Sequence, residues 1–134
     1  LGCGNKKIAK DYLGLDLIDN QEVDIVGDIL EILKLFPDNS VDRIYSNHCL
    51  EHLKNLSDVI TECSRILKNK SKLEVIVPHF SNPYYYSDPT HKNYFGLYTF
   101  SYFAKNNLLK RTPLLNFVPL TFLHLLKTHS LHKK

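Results

Sequence analysis

Short apolar runs alternate with amphipathic stretches through the first two thirds of the chain, and few architectures accept that alternation. Tyr12 to Leu17, Val23 to Gly27, Val41 to Ser46 and Leu73 to Val77 read as strands. Leu73 to Val77 is largely apolar and is stopped by Pro78, which suits a central position in a parallel sheet covered on both faces. A helix is expected from Leu30 to Phe36, ended by Pro37, because proline and the residue before it resist helical continuation. A second should start at a cap supplied by Ser57 or Asp58 and carry Val59, Ile60, Cys63, Ile66 and Leu67 on one face, with Lys68 to Ser71 closing it. The pattern predicts an α/β, Rossmann-like, doubly wound and mostly parallel sheet with helices on both faces. A chain of 134 residues, 43% hydrophobic, has the material for one such core.

After Pro78 the alternation stops. The stretch from His79 to Phe95 holds Pro83, Pro89 and the Tyr84-Tyr85-Tyr86 run, and is expected to be an ordered functional loop. Leu97 to Asn106 reads as helical. Leu114 to Leu126 is apolar, interrupted by Pro119, and shorter than the roughly 20 residues a bilayer span needs. All 14 acidic residues lie at or before Asp88, whereas seven of the 17 basic ones follow from Lys92, so the tail is +7 and the rest −4. Leu120, Phe122, Leu123 and Leu126 with Lys127, Lys133 and Lys134 are therefore expected to form an interfacial helix, giving peripheral membrane contact through 119–134. The alternative is that these leucines cover the sheet. No nucleic-acid partner is expected. Three cysteines without framework spacing point to a reducing, cytoplasmic setting. The chain has no methionine and opens on Leu1-Gly2, which predicts a fragment whose first strand is largely missing.

Gly2-Cys3-Gly4 stands where a strand would turn toward a helix, and glycine there lets backbone approach a ligand. A dinucleotide fingerprint needs a third glycine at position 7, where this chain has Lys7, so a nicotinamide-dependent oxidoreductase is the weaker alternative. Asp16, ending the next strand, is placed to accept the two hydroxyls of a ribose. Asp28 suits a helix cap as well as a ligand contact. His48, Cys49, His52 and Cys63 cluster in sequence, but their spacing matches no standard zinc pairing, and no metal is expected.

Leu1-Gly2-Cys3-Gly4-Asn5, Asp16 and Gly27-Asp28-Ile29 resemble the cofactor motifs of class I S-adenosylmethionine-dependent methyltransferases. Phe36-Pro37-Asp38-Asn39-Ser40-Val41-Asp42, His48-Cys49-Leu50-Glu51-His52-Leu53 and Arg65-Ile66-Leu67-Lys68 extend the resemblance toward the type 11 group. It covers residues 1–95, read as the cofactor core, with 96–134 as a segment that completes or caps the domain. It implies S-adenosyl-L-methionine as cofactor, held by Gly2, Cys3, Gly4, Asn5, Asp16, Leu17, Asp28, Ile29, Asn47 and His48. Ser87 to Lys92 is similar to relatives tied to cell-surface saccharide modification, so the implied acceptor is a small molecule or saccharide. The chain departs from the pattern in its short Asn5 to Asp11 crossover and in Asn69-Lys70-Ser71, where a glycine pair is usual.

Methyl transfer from a sulfonium is an in-line displacement, so the protein mainly aligns the partners and excludes water. A hydroxyl acceptor also needs a base, for which His79 and His91 are the candidates. Tyr84 to Tyr86 either line the acceptor pocket or pack the loop on the core. A binding module that keeps this fold without turnover is the main rival.

Overall fold

A computed structural model of the chain describes residues 1–103 and the backbone of residues 121–126. Strand β1 (Leu15–Asp16) pairs in parallel with β2 (Ile25–Val26). Strands β3 (Val41–Asn47), β4 (Leu67–Val77) and β5 (Thr121–Leu126) form a second parallel sheet in the order β3-β4-β5. Both early strands are two residues long, shorter than their apolar runs, and the bonds from the Asp24 and Ile25 N–H groups to the Gly14 carbonyl and from the Gly27 N–H to the Asp16 carbonyl hold the two segments together at their ends. Leu1–Cys3 runs between the sheets. The Leu1 nitrogen donates to the Tyr45 carbonyl at 2.6 Å, and the Cys3 N–H donates to the Leu15 carbonyl at 3.2 Å. Chain order reverses across this segment, with β1 and β2 on one side and β3, β4 and β5 on the other. In open α/β sheets such a reversal is where ligands bind.

Helix α1 (Ile29–Lys34) begins where Asp28 Oδ1 accepts the Leu30 and Glu31 N–H groups at 2.9 and 3.3 Å. Pro37 then forbids continuation. Helix α2 (Leu56–Ile66) is capped by Asn55 without a side-chain hydrogen bond, so the expected cap at Ser57 or Asp58 is not used. Its apolar face is as anticipated. Val59, Ile60, Cys63 and Ile66 are buried with Leu33, Leu50, Leu73, Val75 and Val77. Arg65 ties the helices together, donating to the carbonyls of Leu33 and Phe36 and pairing with Glu62 and Asp38. The described α-helices therefore pack on one another, and residues 5–11 contain turns instead of a crossover helix.

Lys68 to Ser71 does not close α2 in coil. Strand β4 starts directly at Leu67, and between the pairs Val41↔Leu67 and Arg43↔Lys72 one β3 residue faces four on β4. Lys70, at φ 66°, takes the left-handed turn in this bulge that glycine would take at no cost. Among the described residues from Leu97, Thr99–Phe103 is a short 3-10 helix, with a local turn folded by Gly96 and Thr99 at its start. Residues 104–106 lie outside the described set. The expected interfacial helix is also corrected. Thr121–Leu126 is a strand in register with β4, Lys72↔Thr121 through Val77↔Leu126, because the β4 edge offers an apolar run backbone partners and a sheet to extend, and tertiary pairing overrides a pattern that fits a helix as well. The remaining residues of 119–134 lie outside the described set. Among the described residues, no helix is long and apolar enough to cross a membrane.

Candidate functional site

The turn at Gly2-Cys3-Gly4 is wedged between the ends of β1 and β3. Gly2 and Gly4 have φ 60° and 55°, a region L residues enter at a cost. The two glycines differ in surroundings. A Cβ on Gly2 would stand 2.6 Å from the Cys49 Cβ, whereas one on Gly4 meets nothing within 4 Å. Gly2 thus permits close packing on the β3 end, and Gly4 faces open space where a ligand can approach. The Gly4 N–H donates to Asp16 Oδ2 at 2.8 Å, and Asp16 Oδ1 accepts the Ile18 N–H at 3.1 Å. Two backbone donors fix the carboxylate and still leave lone pairs on both oxygens. Lys6 N–H to Cys3 carbonyl, 3.1 Å, closes the turn and leaves Asn5 exposed.

The other proposed cofactor residues are distributed less simply. The Cys3 thiol turns under the turn toward the Glu22 carbonyl, 3.6 Å away, and burial, aided by Asp16, raises its pKa. Leu17 is exposed beside Asp16 and offers an apolar surface. Asp28 is occupied as the α1 cap through Oδ1. Ile29 is buried in the core, so its side chain does not reach solvent. Asn47 is exposed at the end of β3, and His48, at φ 51°, turns the chain sharply there. A cavity of about 450 Å³ brings Gly2, Cys3, Asn5 and Asn47 together with Tyr12 and Tyr45, without Asp16, Asp28 or His48. Lys7, which broke the dinucleotide pattern, lines this cavity and pairs with Asp24 at 2.9 Å.

The loop after β4 is held firmly. Lys92 and Asn93 N–H groups donate to the Glu51 carbonyl at 2.7 and 3.1 Å, and Asn93 Nδ2 donates to the Leu50 and Leu53 carbonyls. These bonds lay residues 90–93 on the short 3-10 helix Leu50–His52. Tyr85 is buried, its hydroxyl donating to the Asn93 carbonyl and its ring 4.5 Å from that of His91. Tyr84 and Tyr86 are exposed, so within the tyrosine run Tyr85 packs the loop on the core and the other two do not.

The two candidate bases differ in their lone pairs. The Ser81 backbone N–H donates to His79 Nδ1 at 3.3 Å. In the neutral ring this places the proton on Nε2, and the free lone pair is already used. His91 is the reverse. Its Nδ1 lies 2.8 Å from the Tyr85 carbonyl, which can only accept, so Nδ1 carries the hydrogen, and in the neutral ring Nε2, 3.6 Å from Asp88 Oδ2, keeps a lone pair. Sequence spacing missed what surrounds His91. His52, with ring centroids 4.8 Å apart, and the fully buried Glu51 lie against it. Cys49 and Cys63, grouped with His48 and His52 by sequence, sit in the core, where burial pushes their thiols up to about 11 and about 12.

The chain matches the family model described as "Methyltransferase domain" over residues 1–75. Among solved structures it is similar to an S-adenosylmethionine-dependent methyltransferase from Archaeoglobus fulgidus, with a TM-score of 0.50 and 29% identity. That match covers 55% of this chain and 36% of the archaeal one, so the chain spans about a third of its length. No curated protein matches. The parallel pairings, the order reversal at Leu1–Cys3 and the matched span agree, and the chain belongs to the methyltransferase domain family.

Proposed function

We propose that the chain is the cofactor-binding core of an S-adenosylmethionine-dependent methyltransferase acting on a small-molecule or saccharide-like acceptor. The observation that carries this reading is the bond from Gly4 N–H to Asp16 Oδ2, 2.8 Å, at the reversal of strand order. It holds a glycine turn open to ligand beside a fixed carboxylate, the pairing a nucleoside needs. Gly2 and Gly4 offer backbone, Asp16 accepts ribose hydroxyls, exposed Leu17 lies under an adenine ring, and Asn47 and His48 close the far end. Cys3, Asn5, Asp28 and Ile29 contribute through backbone or neighbouring surface. The cofactor, when bound, supplies an electrophilic methyl group.

The acceptor side is assigned to the loop after β4. Tyr84, Tyr86 and Tyr94 are all exposed, and Tyr86 and Tyr94 have ring centroids 5.9 Å apart. Such rings present an apolar face with a hydroxyl at the edge, which suits a sugar-like acceptor. His91 takes the proton of an acceptor hydroxyl through its Nε2 lone pair, and His79 acts only if Ser81 releases it. Residues 96–134 are assigned to the same domain, since Phe100 and Phe103 join the core and β5 extends the sheet.

The test is calorimetric titration of the whole chain with S-adenosylhomocysteine, with circular dichroism as the check on folding. Wild type should bind at a single site, and Asp16→Asn, which can still accept the Gly4 N–H, should bind about tenfold to a hundredfold more weakly from loss of a charged acceptor. Equal binding by the two proteins would remove Asp16 from the site, and no binding by a folded wild type would overturn the reading.

A further inference from the structure

We propose that Glu51, His52 and His91 form a binding site for a divalent transition-metal ion of the zinc class. One carboxylate oxygen and one nitrogen from each ring lie within 4.8 Å of one another. Glu51 is completely buried, its Oε1 lies 3.1 Å from His48 Nδ1, and its Oε2 has no hydrogen-bond partner. A buried carboxylate oxygen without a partner is costly, and a bound cation is one way to satisfy it.

The Nδ1 atoms of the two rings are held by partners outside the group. His91 gives its Nδ1 hydrogen to the Tyr85 carbonyl. The Thr90 hydroxyl donates to Asp88 Oδ1 at 2.5 Å, so toward His52 Nδ1, 2.9 Å away, it can only accept. In their neutral forms both rings therefore carry hydrogen on Nδ1, fixed by a carbonyl or by a hydroxyl bonded to a carboxylate, and a lone pair on Nε2, with Asp88 Oδ2 3.6 Å from that of His91. Metal-binding histidines are oriented in this way, through an N–H held by an outer partner. His48 does the same for the carboxylate through Oε1. Two histidines and one glutamate make a three-ligand set that leaves a coordination position open.

Bonds of about 2.0 to 2.2 Å in tetrahedral geometry put ligand atoms roughly 3.4 Å apart. The widest pair here must close by about 1.4 Å, which rotation of the half-buried His52 and His91 side chains can supply. The loop contacts that place His91, through Lys92 and Asn93 to the Glu51 carbonyl, tie two ligands of the set directly together. The site stands apart from the methyl-transfer reading. Where both hold, an ion commits the His91 lone pair, and acidification of an acceptor hydroxyl passes from His91 to the metal.

The test uses the whole chain, stripped with a chelator and titrated with Zn²⁺ against a chromophoric competitor, without any S-adenosyl compound. Wild type should bind one ion, and Co²⁺ should give ligand-field bands of a low-coordinate site. Glu51→Gln, isosteric, should weaken binding about a hundredfold, as should His52→Gln and His91→Gln, while His79→Ala leaves it unchanged. Unfolding of Glu51→Gln by circular dichroism would pass the decision to His52→Gln, whose side chain is half-buried. Zn²⁺ affinity equal in wild type and both glutamine variants at His52 and His91, or dependent on His79, overturns the site. Because S-adenosylhomocysteine is absent, failure here leaves the cofactor reading untouched, and failure of the cofactor titration leaves this one untouched.

Discussion

Gly2 and Gly4 share a left-handed backbone but not their surroundings, and alanine at each separates two costs. The conformational term is common to both, about 1 to 2 kcal/mol for an L residue at positive φ. Gly4→Ala pays only this, since its new Cβ meets nothing within 4 Å. Gly2→Ala must also push against Cys49, with contacts of 2.6 Å to Cβ and 2.7 Å to Sγ. Cys49 Cβ is fixed to a buried backbone and cannot swing away, so an overpacking cost of about 1 to 3 kcal/mol is added. Gly2→Ala should therefore lose about 2 to 5 kcal/mol and Gly4→Ala about 1 to 2. Against a typical stability of about 5 to 15 kcal/mol, Gly4→Ala should remain folded. Urea unfolding followed by circular dichroism measures both, and S-adenosylhomocysteine titration adds a reciprocal readout. Gly4→Ala, with its methyl in the open approach, should lose affinity out of proportion to its small loss of stability. Equal destabilisation by the two substitutions would refute the packing argument, and unchanged affinity in Gly4→Ala would refute the claim that a ligand approaches there.

Lys70→Gly should stabilise the protein by up to about 1 kcal/mol in urea unfolding, because Lys70 pays for φ 66° on an exposed bulge. Arg65→Met should cost about 2 to 3 kcal/mol by the same assay, since its guanidinium bonds the Leu33 and Phe36 carbonyls at the end of α1 as well as Glu62. The Cys63 thiol is raised by burial from 9.0 to about 12. A folded pKa above the unfolded one gives stability that is intact below pH 9 and lost as pH rises toward 12, so Cys63→Ala should flatten the alkaline slope of unfolding free energy.

The parts of the fold that were legible in the sequence are those decided by local chemistry. Asp28 before Ile29, Pro37 after Phe36 and the Val59, Ile60, Cys63, Ile66 face each act within a few residues, and each is found where spacing placed it. The misjudged elements are those that tertiary pairing decides. Lys68 to Ser71 looks like a helix stop, yet Leu67 is already aligned with Val41, and the turn becomes a bulge inside a strand. Phe122, Leu123 and Leu126 fit a helical face as well as a strand, and only the neighbouring β4 edge selects the strand.

The same distinction governs the site. The placement of Gly2, Gly4 and Asp16 together at the turn could be read in advance because turns and strand ends follow from local pattern, while their role toward a nucleoside belongs to the proposal. The Glu51, His52 and His91 group could not, since 39 residues separate its second and third members and the loop path between them is unreadable locally. Sequence did carry half the signal in the adjacent Glu51-His52 pair. The missing half was the hydrogen bonding of Lys92 and Asn93 to the Glu51 carbonyl, a long-range contact that turns an apparently surface histidine toward a buried carboxylate. A carboxylate with no exposure and one unbonded oxygen is a state the fold must have a reason to hold. An added cation would meet that oxygen with His52 and His91 beside it, their Nδ1 atoms held by Thr90 and by the Tyr85 carbonyl.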